Sequence, residues 1–323
     1  MIIRAAGLTK EFRRPRRKEG RFGGLRTLLT REYTTTRAVG GVDLALEEGE
    51  LVGFLGPNGA GKSTTIKMLT GILVPTSGTV EVAGLVPWRQ RERNARQIGV
   101  VFGQRSQLWW DLPLIDSFRL VGKIYEVPDP LLRKNLDLFV DLLDLGSFLD
   151  TPVRSLSLGQ RMRGDLAAAM IYEPRILYLD EPTVGLDVVA KQRIRSFIAE
   201  LNRDKGVTVV LTTHDMDDVE ELCRRVVIID KGRTLYDGEI KALKDAYVTH
   251  RELVLHLASA AGPMEREVRR EGDRVWLRFD PAEISASKLI REVTERYDVS
   301  DLSLAEPDLE GVIREIYAVG EVA

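Results

Sequence analysis

A glycine-rich segment near residue 60 restricts what this chain can fold into. The segment is Gly56-Pro57-Asn58-Gly59-Ala60-Gly61-Lys62-Ser63-Thr64, it fits the pattern G-x-x-x-x-G-K-[ST], and it follows the apolar run Leu51–Leu55. Glycines let successive backbone N–H groups face a phosphate chain, and the N-terminus of a following helix attracts negative charge. The pattern therefore predicts a strand, a nucleotide-binding loop and a helix, with Lys62 beside the β- and γ-phosphates and Ser63 on Mg²⁺. The alternative, an ordinary glycine turn, is disfavoured because a strand precedes and a helix follows.

Apolar runs and helical patterns alternate from residue 51 to about residue 242. Runs such as Val207-Thr208-Val209-Val210-Leu211 indicate strands buried on both faces of a sheet. Strands are predicted at 2–10, 39–47, 51–55, 79–83, 98–102, 176–179, 207–212 and 226–229. Helices are predicted at 63–69, 114–125, 130–143, 158–172, 189–204 and 216–223. The fold class is therefore α/β, with an all-helical subdomain at about 105–172 and a basic loop inserted at about 13–32.

A change in composition near Ala246 predicts a domain boundary, so that the nucleotide-binding domain covers 1–245. Beyond it, strands at 253–257, 275–279 and 299–304 and helices at 285–297 and 309–319 predict a small α+β domain over 246–323. A chain of 323 residues is long enough for both cores.

Composition excludes several classes of protein. The net charge is −2, so binding of nucleic acid through overall charge is not expected. The one cysteine, Cys223, cannot form a disulfide within the chain, which agrees with a reducing compartment. No apolar run approaches the roughly 20 residues of a membrane helix, and the N-terminus lacks the apolar centre of a signal peptide. Work at a membrane would require docking to another subunit.

Two carboxylates follow the predicted strand 176–179. Asp180 stands at the tip of the strand, where it would hold Mg²⁺, and Glu181 comes next, where it would orient and deprotonate an attacking water. In isolation, an Asp-Glu-Pro turn after a buried strand explains the pair equally well. Gln104 follows the strand 98–102 and is a further candidate ligand of Mg²⁺. His214 follows the strand 207–212, where a histidine is more often structural.

The segment Leu156-Ser157-Leu158-Gly159-Gln160 begins a predicted helix, with Ser157 as its cap. Taken with the phosphate loop, Asp180-Glu181 and His214, it resembles the signature of the ATP-binding subunits of ABC transporters, whose pattern is L-S-G-G-Q. Leu158 departs from that pattern at its third position. Gly185-Leu186-Asp187 resembles the D-loop of the same family. His214 resembles its switch histidine, which implies that His214 contacts the γ-phosphate and holds Glu181 in line. The resemblance implies a P-loop ABC cassette that hydrolyses ATP, with Ser63, Gln104 and Asp180 as ligands of Mg²⁺.

The resemblance also implies partners. In the family, Ser157, Leu158, Gly159 and Gln160 close over ATP that is bound to a second copy of the chain, so we expect an ATP-dependent homodimer. The dimer is expected on the cytoplasmic face of the cell membrane, docked to a multi-helix permease. Two adjacent tryptophans, Trp109 and Trp110, are core residues or part of a groove for that permease.

Two features leave alternatives open. The aromatic that stacks on adenine is expected to be Tyr33, which lies at the family's distance from Gly56, or Phe12, which fits the local pattern. The basic segment 13–31 carries eight Lys or Arg and one Glu. It is a solvated loop or a contact with anionic lipid headgroups.

Residues 306–317 and 104–118 resemble the drug- and lipid-exporting group of the family, which works with a separate permease. The resemblance therefore predicts export. The alternatives are an import ATPase and a non-transport ABC ATPase associated with ribosomes, DNA or cell division. Ribosome-acting members usually carry two cassettes in a chain, and DNA-repair members a long coiled coil, neither of which is found here.

Overall fold

The computed structural model describes residues 1–15, 33–103, 105–247, 250–259, 261–305 and 309–320. The chain divides into two compact units, Met1–Asp237 and Gly238–Ala323. Gln104 and residues 16–32 lie outside the described residues, so the predictions made for that glutamine and for most of the basic segment remain predictions.

A mixed sheet forms the first unit. Its strands are β1 (Ile3–Pro15), β2 (Tyr33–Leu46), β3 (Leu51–Leu55), β4 (Ser77–Val82), β5 (Ile98–Phe102), β6 (Ile176–Asp180), β7 (Thr208–Thr212), β8 (Arg225–Asp230) and β9 (Arg233–Glu239). They lie in the order β4-β1-β2-β9-β8-β3-β7-β6-β5. The pairs of β3 with β7 and β8, β7 with β6, and β6 with β5 are parallel, whereas β1 pairs antiparallel with β2 and β4. The parallel strands bring their carboxyl ends to one edge, where the predicted site residues lie.

Helices follow the strands of the parallel half. They are α1 (Lys62–Leu69), α2 (Arg91–Ala95), α3 (Leu114–Ile124), α4 (Asp129–Leu142), α5 (Leu158–Met170), α6 (Val188–Lys205) and α7 (Met216–Leu222). Between β5 and β6 the chain forms α3, α4 and α5, with Phe118, Phe139 and Leu166 fully buried. This is the predicted helical subdomain. The α/β class predicted from the sequence is confirmed.

The antiparallel ribbon of β1 and β2 is longer than the sequence predicts. The predicted strands end at residue 10 and begin at residue 39, but pairing continues out to Pro15 opposite Tyr33. The run Thr34-Thr35-Thr36 explains the extension, since β-branched residues favour extended backbone. The short polar helix α2 and the strand β9 were not predicted, because neither has a clear apolar period.

The second unit contains a four-stranded antiparallel sheet in the order β11-β12-β10-β13. The elements are α8 (Ile240–Tyr247), β10 (Arg251–Leu257), β11 (Glu267–Glu271), β12 (Arg274–Phe279), α9 (Ala286–Arg296), β13 (Val299–Ala305) and α10 (Leu309–Gly320). Leu289 and Val293 of α9 pack on Leu255, Leu277 and Phe279 of the sheet. The boundary predicted at residue 245 falls within α8. The polar edge strand β11 gives no alternating signal and was not predicted.

Cys223 follows α7 and is buried in the first unit. Burial raises the pKa of its thiol, because the charged thiolate is poorly solvated there. The cysteine is therefore an unreactive core residue.

Candidate active site

The loop between β3 and α1 is shaped to hold an anion. Gly61 has a φ of +108°, and a Cβ at this position would lie 2.7 Å from the carbonyl oxygen of Ala38. Only glycine fits such a close approach in this backbone conformation. No side chain caps the start of α1, so the N–H groups of its first turn are left to a ligand.

Lys62 begins α1 and folds back over this loop. Its Nζ donates to the carbonyl oxygens of Gly56, at 2.5 Å, and Pro57, at 3.3 Å. The residue is buried, and burial lowers the pKa of its ammonium group, although the nearby charges of Glu181 and Asp180 act in the opposite direction. A poorly solvated cation thus stands within the phosphate loop.

Hydroxyl groups surround the carboxylate of Asp180 at the end of β6. Thr212 at the end of β7 donates from Oγ1 to Asp180 Oδ1 at 2.6 Å, and Ser63 donates to the same oxygen at 3.4 Å. Hard oxygen donors of this kind suit Mg²⁺, which commonly takes one or two protein ligands and completes its shell with water and phosphate oxygens. Ser63 and Asp180 therefore fit the ion that the sequence predicts.

Glu181 and His214 meet at the same edge of the sheet. Glu181 Oε1 lies 2.5 Å from His214 Nε2, and the Glu181 backbone N–H donates to the carbonyl oxygen of Thr212 at 2.8 Å. The φ of Glu181 is +58°, a conformation that is unfavourable for residues other than glycine. Such strain is often found in residues held for a function.

A single cleft of about 740 Å³ joins these groups. Its lining includes residues from the phosphate loop, from the ends of β5 and β6 and from the loop after β7: Asn58, Ser63, Phe102, Gly103, Asp180, Glu181 and His214. The cleft thus brings together positions that are far apart in the sequence. Within the part of the chain that the structure describes, the signature residues 157–160 do not line this cleft.

The signature and the D-loop begin neighbouring helices. Ser157 caps α5, with its Oγ accepting from Gln160 N at 3.2 Å and its own N–H donating to Gln160 Oε1 at 2.9 Å. Asp187 caps α6 by accepting from Ala190 N at 2.8 Å. Gly185 has a φ of +76°, and a Cβ there would lie 3.1 Å from Leu158 Cδ2. The leucine that departs from the family pattern therefore packs against the D-loop.

The two candidate adenine-binding aromatics lie on the β1–β2 ribbon. Tyr33 and Phe12 are both exposed, and neither lines the cleft. Val39 of β2 packs near Gly61 of the phosphate loop. Phe12 pairs with Thr36, whereas Tyr33 lies three residues further from Val39 along the same strand. At about 3.3 Å per residue, Phe12 is roughly 10 Å closer to the loop.

The tryptophan pair is exposed. Trp110 has 52% of its surface accessible and Trp109 37%. The guanidinium of Arg161 lies 5.5 Å from the centre of the Trp110 ring. The alternative in which these residues are buried in the core is therefore wrong, because they lie on the surface of the helical subdomain.

Several polar residues near the site were not found by sequence reasoning. Thr183, Thr213 and Asp218 are buried around the loops that carry Glu181 and His214, and Asp165 is buried beside the segment after Gln104. In the sequence, these residues could have been found only through the two threonines, which stand beside the candidate catalytic residues Glu181 and His214.

The fold and the cleft together define a P-loop protein that binds and hydrolyses a nucleotide. Residues 39–184 match the family described as ABC transporter. The chain is 34% identical, over 88% of its length and 86% of the relative's, to the methionine import ATP-binding protein MetN of Latilactobacillus sakei. It is 35% identical, over 80% of its length and 78% of the relative's, to the daunorubicin/doxorubicin resistance ATP-binding protein DrrA of Streptomyces peucetius.

Solved structures agree with these relatives. A dimeric ATP-binding cassette bound to ADP and Pi in a post-hydrolysis state superposes with a TM-score of 0.60, at 25% identity, over 73% of this chain and 98% of that one. CbiO1 of Clostridium perfringens, part of an ABC transporter complex, also has a TM-score of 0.60, at 27% identity, over 75% of this chain and 90% of that one. The chain belongs to the ATP-binding subunits of ABC transporters, and its activity is ATP hydrolysis.

Among the helices of the described residues, none has the length and apolar character needed to cross a bilayer.

Proposed function

We propose that this subunit hydrolyses ATP with Mg²⁺ to drive export through a separate membrane permease. The observation that carries the hydrolytic part is the meeting of Asp180, Glu181 and His214 in one cleft beside the phosphate loop. Each residue lies at the end of a parallel strand or just after it, which is where α/β sheets bind ligands.

The phosphate loop would receive the triphosphate. The carbonyls of Gly56 and Pro57, which now accept from Lys62 Nζ, are neutral partners, and the β- and γ-phosphates would be charged ones. Ser63 and Asp180 would hold Mg²⁺, with Gln104 expected as a further ligand. When bound, the ion neutralises charge that develops on the phosphate oxygens.

Glu181 is the proposed general base. Water attacks the γ-phosphorus, the bond to the β–γ bridging oxygen breaks, and the water's proton passes to the Glu181 carboxylate. His214 donates from Nε2 to Glu181 Oε1, which fixes the direction of that carboxylate. The half-exposed imidazole then lies at the cleft, in position to contact the γ-phosphate.

The adenine ring is proposed to stack on Phe12. The sequence favours Tyr33 slightly, on its distance from Gly56. The ribbon register supports Phe12 instead, because Phe12 lies closer to the level of Val39 and the phosphate loop.

A second copy of the chain is the proposed partner at the nucleotide. Ser157 and Gly159 lie at the N-terminus of α5, which is a favourable place for phosphate oxygens. The dimeric structures of related cassettes support a shared site, in which these residues close over ATP held by the other copy. Leu158 and Asp187 would lie at the same interface.

The variant Glu181→Gln tests the catalytic assignment. It keeps the shape of the side chain but removes its basicity, so we expect ATP binding to persist and hydrolysis to fall by roughly 10²-fold or more. Because this variant keeps its bound ATP, it should also accumulate as an ATP-bound dimer, which light scattering can measure. Normal turnover in this variant would exclude Glu181 as the base.

Export through a permease rests on relatives and on exposed residues of the helical subdomain. DrrA and the Nod factor export ATP-binding protein I of Ralstonia nicotianae, which is 35% identical over 65% of each chain, carry names of export or resistance. Trp109 and Trp110 are exposed, and aromatic residues are enriched at protein interfaces. They are the proposed permease contact.

Import is the rival function, because MetN is named for methionine import. The two are separated by finding the permease that co-purifies with the chain from its native membranes, co-expressing the pair and preparing inside-out vesicles. ATP-driven entry of daunorubicin supports export. ATP-driven loss of preloaded methionine supports import.

A further inference from the structure

A buried carboxylate joins the two loops that carry Glu181 and His214. Asp218 lies in α7 and has no exposed surface. Thr183 donates from its Oγ1 to Asp218 Oδ2, and Thr213 donates to the same oxygen at 3.2 Å. Thr183 stands two residues after Glu181, and Thr213 immediately precedes His214. One oxygen of Asp218 therefore contacts both catalytic loops.

The other oxygen of Asp218 pairs with Arg195, a cation on α6. Arg195 donates to Asp218 Oδ1 from Nε at 2.6 Å and lies within 2.5 Å through its second terminal nitrogen. Arg195 also pairs with Glu221, at 3.0 Å, and with Asp215, at 3.6 Å. Its side chain is only 12% exposed, so this cation compensates a carboxylate that burial would otherwise make very costly.

The catalytic loops need such support. Glu181 has the strained φ of +58°, which persists only when neighbouring contacts determine it. A backbone hydrogen bond from Glu181 to Thr212 fixes the start of its loop. The hydroxyl of Thr183 fixes the other side of the strained residue.

We propose that Asp218 is a positioning residue for ATP hydrolysis, which holds Glu181 and His214 together through Thr183 and Thr213. The inference rests on the proposed role of Glu181 as the base. The carboxylate does not touch the substrate. It sets the separation of two loops, and small displacements of catalytic groups are expensive in rate.

Single threonine variants provide the test, because removal of Asp218 itself would leave Arg195 buried without its main partner. Thr183→Val keeps the volume of the side chain and removes the hydroxyl, and Thr183→Ser keeps the hydroxyl. We expect kcat to fall by about 10–100-fold in Thr183→Val. KM for ATP should stay close to its original value, because no nucleotide contact is removed, and Thr183→Ser should restore most of kcat.

Two comparisons separate positioning from a general loss of structure. In the Glu181→Gln background, Thr183→Val should cause no further loss, since the group that it positions is already disabled. Glu221→Gln is the matched control, because it removes another partner of Arg195 without touching either threonine. It should leave kcat unchanged.

The proposal is overturned if Thr183→Val retains the parental kcat, or if Glu221→Gln loses as much activity. If Thr183→Val does not fold, the pair Thr213→Val and Thr213→Ser is read by the same criteria. Normal hydrolysis in Glu181→Gln would instead overturn the assignment of the base. The failure of the positioning role of Asp218 and the failure of the proposed function therefore give different results.

Discussion

The two units of this chain treat buried polar groups in opposite ways. In the first unit, charged and polar side chains are buried. Lys62, Thr183, Thr213 and Asp218 lie around the strand ends, and Asp165 lies within α5. In the second unit, the buried side chains of the described residues are apolar. Burying a polar group costs stability unless it is paired. The first unit bears this cost in part where the candidate catalytic groups must be held in place, whereas the core of the second unit is stabilised by apolar packing.

The largest expected effect is a loss of stability in the second unit. Phe279 is almost fully buried in its core, so Phe279→Ala should lower the free energy of unfolding of this unit by about 3–5 kcal/mol. Hydrogen exchange over residues 238–320 measures the loss, and Val268→Ala, at a half-exposed position, is the control. A fall in kcat for ATP hydrolysis in folded Phe279→Ala protein would contradict the contrast between the two units.

At Lys62 we expect a loss of activity rather than a loss of stability. Lys62→Ala removes a cation from the phosphate loop, and loss of one preorganised donor to developing charge typically costs about 10²–10³-fold in kcat. Because a buried charge is also removed, the unfolding free energy should not fall by a comparable amount. Steady-state hydrolysis and urea unfolding give the two values, and a large loss of stability with unchanged kcat contradicts the comparison.

Asp165 makes the cost of polar burial measurable. It accepts from Ser106 Oγ at 3.0 Å and Gln107 N at 2.9 Å, and burial raises its pKa from 3.8 to about 6. The folded state therefore favours the protonated carboxyl. The free energy of unfolding is highest at low pH and falls by about 3 kcal/mol as the pH rises through about 6. Asp165→Asn stays neutral, so its stability relative to the parent should rise by up to that amount between about pH 4 and 7.5.

Urea unfolding at several pH values checks this expectation. The exposed Asp111 gives the control variant Asp111→Asn, for which we expect little pH-dependent difference. A flat difference for Asp165→Asn as well would show that folding does not raise the pKa of Asp165.

The smallest expected effect concerns the exposed ribbon. Stacking of a base on an aromatic side chain contributes about 1–3 kcal/mol, so Phe12→Ala should raise KM for ATP by about 5- to 150-fold with kcat retained. Tyr33→Ala should leave KM near its parental value. The reverse result would assign the stacking to Tyr33.

The residues that could be predicted from the sequence are those fixed by local spacing. Gly56 to Ser63, Asp180 and His214 each follow a recognisable strand, and parallel strands bring such ends together. Asp218 and Asp165 could not be predicted, because their partners Thr183 and Ser106 lie 35 and 59 positions away. Tertiary contacts over such distances leave no periodic signal in one sequence.

The failures at the level of elements have a similar cause. The strand β11 and the helix α2 are short and mostly polar, so apolar periodicity could not reveal them. The length of the β1–β2 ribbon depended on cross-strand pairing, which the sequence of either strand alone does not specify.

The solitary, shielded thiol of Cys223 makes the unmodified protein a ready background for site-directed labelling. A cysteine introduced at Ser157 or at Asn58 would be the accessible reactive sulfur in the described part of the chain. Copies carrying one substitution each would be mixed with ATP and an oxidant. A covalent dimer on a gel would report closure of the proposed shared nucleotide site.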